Sequence, residues 1–183
     1  MAINSKKKGN KNERNLCNWW KDWSGLEFSR VPASGGLRWK NTDNICGDII
    51  MTDERHSRRF PFSIEAKAYK DIRFEHLVLG NKKIKIIEFW NQAKEDALRG
   101  NKIPILFMRY NGMPASTWFT VLNESTYKVF LKYLDKNHKH QPIIKISFED
   151  GENIYILNSD DLSTVNYKEF TITIKKLKRN GKQ

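Results

Sequence analysis

Hydrophobic and polar positions alternate along this chain with periods that change from segment to segment. Leu16, Cys17, Trp19, Trp20 and Trp23 recur at helical spacing, and Gly25 follows as a stop, so residues 10–23 read as an amphipathic helix. "LEFSRVP" at 26–32 reads as a strand, "ASGGLRWKNTDN" at 33–44 as a glycine-containing loop, and "ICGDIIMT" at 45–52 as a second strand. A short polar link leads to "FPFSIEAKAY" at 60–69, whose strict alternation predicts a third strand in an antiparallel hairpin with the second. After a polar connection at 70–83, Ile86, Phe89, Trp90, Ala93 and Ala97 form one stripe of a helix over 84–99 that stops at Gly100. "IPILFMRY" at 103–110 is apolar enough for an interior strand, and Asn111-Gly112 signals a turn before "ASTWFTVL". A helix near 124–134, a hairpin turning at Asp150-Gly151 and a final strand near 169–176 complete the reading. No internal repeat interrupts this order, which is that of a mixed α/β core.

Some polar residues do not belong in such a pattern. Glu13 lies three, four and seven residues before Leu16, Cys17 and Trp20, and so rides the face of the first helix that turns inward. Asp48 falls in the middle of an apolar strand. On the third strand Phe60, Phe62, Ile64 and Ala66 share one side, while Ser63, Glu65 and Lys67 share the other. Taken singly, a Glu-x-Lys pair is what a solvated strand edge shows. Taken together, a hairpin that sets Asp48 against the neighbourhood of Glu65 brings two carboxylates within a few ångströms, where repulsion raises a pKa or demands a cation. Magnesium, which needs few protein oxygens and completes its shell with water and phosphate, resolves that conflict. Lys67, one strand period from Glu65, would then face the phosphate or position the attacking water.

Composition narrows the partner. With 33 Lys and Arg against 21 Asp and Glu, the net charge of +12 calls for an anionic partner, and nucleic acid comes first. The basic residues are spread along the chain and are not gathered in one amphipathic helix, which favours a polyanion track over a lipid anchor. The 183 residues, 39% hydrophobic with six Trp, are enough to fold as a domain with a real core. No apolar run reaches the roughly 18 residues of a membrane span, and the N-terminus lacks a secretory apolar region, so a cytoplasmic, DNA-associated protein is expected. Cys17 and Cys46 read as buried thiols in a reducing compartment, and His138 and His140 as members of a solvated loop. Trp19, Trp20 and Trp23 are too many for one narrow stripe and point to a subunit contact on the first helix.

Asp48 followed, after a strand-turn-strand interval, by Glu65-Ala66-Lys67 resembles the motif of the PD-(D/E)XK nuclease superfamily, with Gly47 in place of its proline. Within that superfamily the pattern is most similar to the archaeal-type Holliday junction resolvases: Lys8-Gly9 and Glu13-Arg14 match their first-helix signature, and Arg30, Pro32, Ser34 and Gly35 match their loop. Gln92 in "FWNQA" matches a glutamine of the helix that follows the lysine strand. The resemblance spans Lys8 to Tyr110. It implies a restriction-endonuclease-like α/β fold, a mixed central sheet flanked by helices, with a nuclease core at 1–112 and a C-terminal α+β extension at 113–183 packed on or continuing it. It further implies a homodimeric, Mg2+-dependent endonuclease, with Mn2+ as a substitute, that cuts paired strands of a four-way DNA junction. Asp48 and Glu65 would be metal ligands with Glu13 an added acidic group, Lys67 the catalytic lysine, and Ser34 a contact to the scissile phosphate. Arg30, Arg38, Lys40, Lys8, Arg14 and Gln92 would bind DNA, and Trp39 would stack on or wedge a branch. Two alternatives remain: the same site acting on duplex or single-stranded DNA ends, and a non-catalytic basic DNA-binding module.

Overall fold

A computed structural model describes residues 2–31, 46–53, 55–78 and 84–180. Helix α1, Ala2–Ser24, begins eight residues before the expected start at residue 10. Gly25 ends it with φ +70° while its N–H donates to Lys21 O at 2.8 Å, the left-handed stop expected of a glycine there. Strands β1 (Phe28–Arg30) and β2 (Ile49–Met51) are shorter than the sequence suggests. Strand β3 (Phe62–Tyr69) is followed by a short helix α2 (Glu75–Val78), then α3 (Lys85–Arg99), and strand β4 (Ile103–Tyr110). Strand β5 (Phe119–Asn123), helix α4 (Glu124–Tyr133), strands β6 (Ile144–Ser147) and β7 (Asn153–Asn158), and helices α5 (Ser159–Ser163) and α6 (Tyr167–Asn180) complete the chain.

The strands form one seven-stranded sheet in the order β1-β2-β3-β4-β5-β7-β6. Within it β3 and β4 run parallel, from Phe62 against Ile103 to Tyr69 against Tyr110, because the crossover through α3 returns the chain to the same end. Every other pairing between these strands is antiparallel. This is the mixed α/β sheet with flanking helices that the sequence predicts.

Both faces of the sheet are covered, and the strand period decides which side chain enters which layer. Phe62, Ile64, Ile105 and Phe107 pack with Leu16 and Trp20 of α1, Phe130 of α4 and Phe170 of α6. Leu106, Met108 and Val121 pack on the other face with Ile86, Trp90 and Ala93 of α3. Since Glu65 stands opposite Leu106 and Lys67 opposite Met108 in the parallel register, the polar side of β3 faces the α3 layer.

Two expectations are corrected. Residues 169–176 are helical, not a strand: Asn166 Oδ1 accepts from the N–H groups of Lys168 at 3.0 Å and Glu169 at 3.2 Å, an N-cap that starts α6. The alternation of Phe170, Ile172 and Ile174 suggests a strand, yet Phe170 and Ile174 are buried at helical spacing while Ile172 is half exposed. The tryptophans of α1 are also used within the chain itself. Trp19 and Trp20 are buried, and Trp23 packs edge-on against Tyr167 at 5.3 Å and donates its Nε1–H to Val165 O. They therefore supply no ground for a subunit contact: Trp19 packs on Phe107, Trp20 among Phe28, Phe60, Phe62 and Phe107, and Trp23 on Tyr167 and Phe170 of α6.

Candidate active site

Gly47 is the origin of the site's geometry. Its φ of +79° belongs to the left-handed region, and a Cβ there would stand 2.3 Å from Ile64 O, so only glycine lets the chain cross β3 this closely. The crossing fixes the next residue. Asp48 donates its N–H to Ile64 O at 2.8 Å and accepts at its own carbonyl from Val31 N–H at 2.8 Å. Its carboxylate Oδ2 accepts from Ala66 N–H at 3.0 Å. Asp48 is thus bonded to the residues on either side of Glu65.

Glu65 is 2% exposed, an unusual position for a carboxylate. Burial, and next the charge of Asp48, push its pKa up from 4.5 to about 7; Lys67 pulls it down and Asp96 of α3 adds a further upward push. The Lys67 Nζ stands 2.6 Å from Glu65 Oε1 as an ion pair, the one cationic contact on this buried carboxylate among the described residues. Lys67 itself is about one-fifth exposed, its ammonium 5.9 Å from the Phe89 ring centroid.

Lys67 opens onto a cleft of about 700 Å³ at the C-terminal half of β3. Lys8, Gly9, Asn12 and Glu13 of α1 form one wall of it, and Phe89 and Gln92 of α3 belong to another. The first-helix signature, the lysine and the glutamine, distant in sequence, therefore meet in one place. Glu65 does not line the cleft and reaches it through Lys67.

The remaining predicted residues behave differently. Glu13 is not joined to the other carboxylates: its Oε2 accepts from Arg30 Nε at 2.8 Å, and Arg30 in turn donates to Asn10 Oδ1 at 2.6 Å. Arg30, expected to grip phosphate, forms a tie between β1 and α1. Lys8 hydrogen-bonds to Asn111 Oδ1 at the cleft, and Arg14 is exposed outside the cleft lining. Pro32, Ser34, Gly35, Arg38, Trp39 and Lys40 lie outside the described residues. Phe89, which the sequence places on the apolar stripe, also borders the cleft, and Asp96, not singled out by the sequence, acts on Glu65; both share a helical face with Gln92 at spacings of three and four, and that mixed stripe beside the Glu-x-Lys strand is the available signal.

Among the described residues, no group of three or more acidic, histidine or cysteine side chains converges as a ready-made metal cage. Asp48 and Glu65 nonetheless fit a hard divalent cation. One offers a carboxylate held by a single hydrogen bond, the other a buried carboxylate whose ionisation burial and Asp48 oppose and a divalent cation would restore. Two carboxylates suffice for magnesium, which keeps most of its shell for water and phosphate.

A mixed sheet that sets an aspartate beside a Glu-x-Lys strand defines a nuclease of the PD-(D/E)XK class. Residues 4–174 match the family described as "Phage putative PDDEXK endonuclease", and the chain belongs to that family. Membership implies endonuclease activity on DNA and use of a divalent metal ion. The chain is also 25% identical over 126 residues to Protein D14 of Escherichia phage T5, an overlap of 68% of this chain and 74% of that protein. No solved structure matches it. These likenesses carry the superfamily and not the junction-resolvase subgroup. No helix among the described residues is long and apolar enough to cross a membrane.

Proposed function

We propose that this protein is a Mg2+-dependent DNA endonuclease whose substrate is a branched, four-way junction. The observation that supports the chemistry most directly is Glu65, buried, raised to about 7 and placed between the bonds that Asp48 makes to Ile64 and Ala66. A divalent ion held by Asp48 and Glu65 would lower the pKa of water and neutralise charge on the scissile phosphate. Lys67, at the edge of the cleft, donates hydrogen bonds to a non-bridging phosphate oxygen or to the attacking water. Water's oxygen joins phosphorus as the bond to O3′ breaks, so the phosphate stays on one fragment and a hydroxyl is left on the other. Glu13 holds Arg30 at the wall, and Lys8 and Gln92 are the cleft's DNA contacts. Support for a branched substrate comes from Lys8-Gly9 and Glu13, the resolvase-like first-helix residues, lining the same cleft as Lys67.

Cleavage of a synthetic four-way junction, a flap and a linear duplex in Mg2+ or Mn2+ tests this reading. Glu65→Gln and Lys67→Ala are each expected to lose about 10²-fold or more in rate, as removal of a preorganised charge-stabilising group does, while junction binding stays near wild type. Full-rate cleavage by both variants refutes the site. Equal rates on the three DNAs support the second reading, a nuclease of duplex or single-stranded ends, which the internal use of the α1 tryptophans favours by removing one reason to expect a dimer. Absence of plasmid nicking across titrations of both metals leaves a non-catalytic DNA-binding module.

A further inference from the structure

A second cationic site lies at the other end of β3. The 3-10 turn Ser57–Arg59 brings Arg58 and Arg59 against the last turns of α6, where Lys175, Lys178 and Arg179 line the same cleft of about 230 Å³ with Phe60 and Pro61 as its floor. The carbonyl end of α6 accounts locally for basic residues at 178 and 179. It does not account for two arginines arriving from more than a hundred residues earlier. Among the described residues, Arg58, Arg59, Lys175 and Arg179 have no acidic partner, and Arg58, Arg59 and Arg179 are exposed. Lys175 feels the crowding: burial first, then Arg59 and Arg179, lower its pKa. Among the described residues, Asp53, the acid just before this turn, is paired with His56. Gathering like charges such as Arg58, Arg59 and Arg179 destabilises the fold through self-repulsion, which a bound anion would relieve.

We infer that this cleft binds backbone phosphates of the DNA whose scissile segment occupies the Lys67 cleft, as a second anchoring point on an arm of the substrate. This rests on the proposed reading of the protein as a DNA endonuclease. From Phe60 to Lys67 the strand rise of about 3.3 Å per residue puts the two sites about 23 Å apart, or roughly seven base pairs of B-DNA at 3.4 Å per pair. A side chain at the cleft contacts phosphate oxygens and not base edges, so this anchor adds affinity and register without sequence preference.

The test is equilibrium binding in EDTA, so that it reads the anchor whether or not the protein cleaves. Full-length wild type and Arg58→Ala/Arg59→Ala/Arg179→Ala are compared on junctions with arms of about 20 base pairs and with arms too short to span both sites, roughly four base pairs. On long arms the variant should bind at least about tenfold more weakly, and its log K against log [salt] slope should be shallower by about two to three, at roughly 0.9 for each phosphate that is no longer neutralised. Short-arm binding should be unchanged, as should the melting temperature. Arg58→Lys/Arg59→Lys/Arg179→Lys should regain most of the long-arm affinity. Equal affinity and slope on long arms, or an equal loss on both lengths, overturns the second site. A wild-type protein that cuts no DNA yet shows the arm-length effect refutes the endonuclease reading alone.

Discussion

Replacing Gly47 by alanine tests the geometry that places Asp48. The added methyl would meet Ile64 O at 2.3 Å, with Ile64 C and N each at 2.9 Å, whereas ordinary contact begins at 3.4 Å. The Gly47 segment must therefore retreat by about 1 Å, or take another φ; left-handed φ costs a residue with a Cβ about 1–2 kcal/mol, and overpacking about 1–3 kcal/mol more. Both routes loosen the Asp48 N–H bond to that same Ile64 O. A loss of roughly 2–5 kcal/mol lowers the melting temperature of a chain this size by about 5–15 °C. If Asp48 holds the proposed metal ion, a displacement of about 1 Å in its carboxylate costs about 10²-fold in rate. Gly112→Ala separates the two contributions, because Gly112 also has positive φ, +97°, but nothing within 4 Å of its Cβ position. Gly47→Pro restores the residue of the superfamily motif yet should be the most damaging, since proline's φ near −65° excludes +79°. Thermal melts and single-turnover cleavage at saturating enzyme read both effects. A Gly47→Ala protein that melts within about 2 °C of wild type and cuts at full rate would refute the account.

Two other groups yield measurable expectations. Because the folded pKa of Glu65 is raised, the advantage of its protonated carboxyl is fully present below 4.5 and is lost as pH rises through about 7. In EDTA, Glu65→Gln should therefore match wild type near pH 4.5 and exceed it by roughly 1–3 kcal/mol at pH 8; parallel denaturation curves at the two pH values would show that Glu65 is not strained by burial. Asn166→Ala should cost about 1 kcal/mol by uncapping α6 while leaving cleavage intact, and an unchanged urea midpoint would argue against the cap.

Much of the site was legible along the chain. Period two alone put Glu65 and Lys67 on one side of β3, and helical period alone turned Glu13 inward; both are local geometric facts that need no partner. Gly25 and the Asn111-Gly112 turn were equally readable, because conformational cost is local. What failed was local ambiguity: Phe170, Ile172 and Ile174 fit either period, and the cap at Asn166, which settles the start of α6, is a weaker signal along the chain than the alternation.

The sequence by itself determined which side chains were anomalous, a carboxylate on an apolar strand and an acid on a buried helix face, since periodicity fixes direction without knowing the neighbour. Only the tertiary structure decided what each anomaly meets: Glu13 engages Arg30, Asp48 is pinned across β3 by the glycine crossing, and Glu65 is sealed beneath Lys67. The physical reason is that burial and electrostatic coupling depend on groups brought close by the fold from far along the chain, such as Asp96 acting on Glu65 and Phe170 of α6 packing on Trp23 of α1.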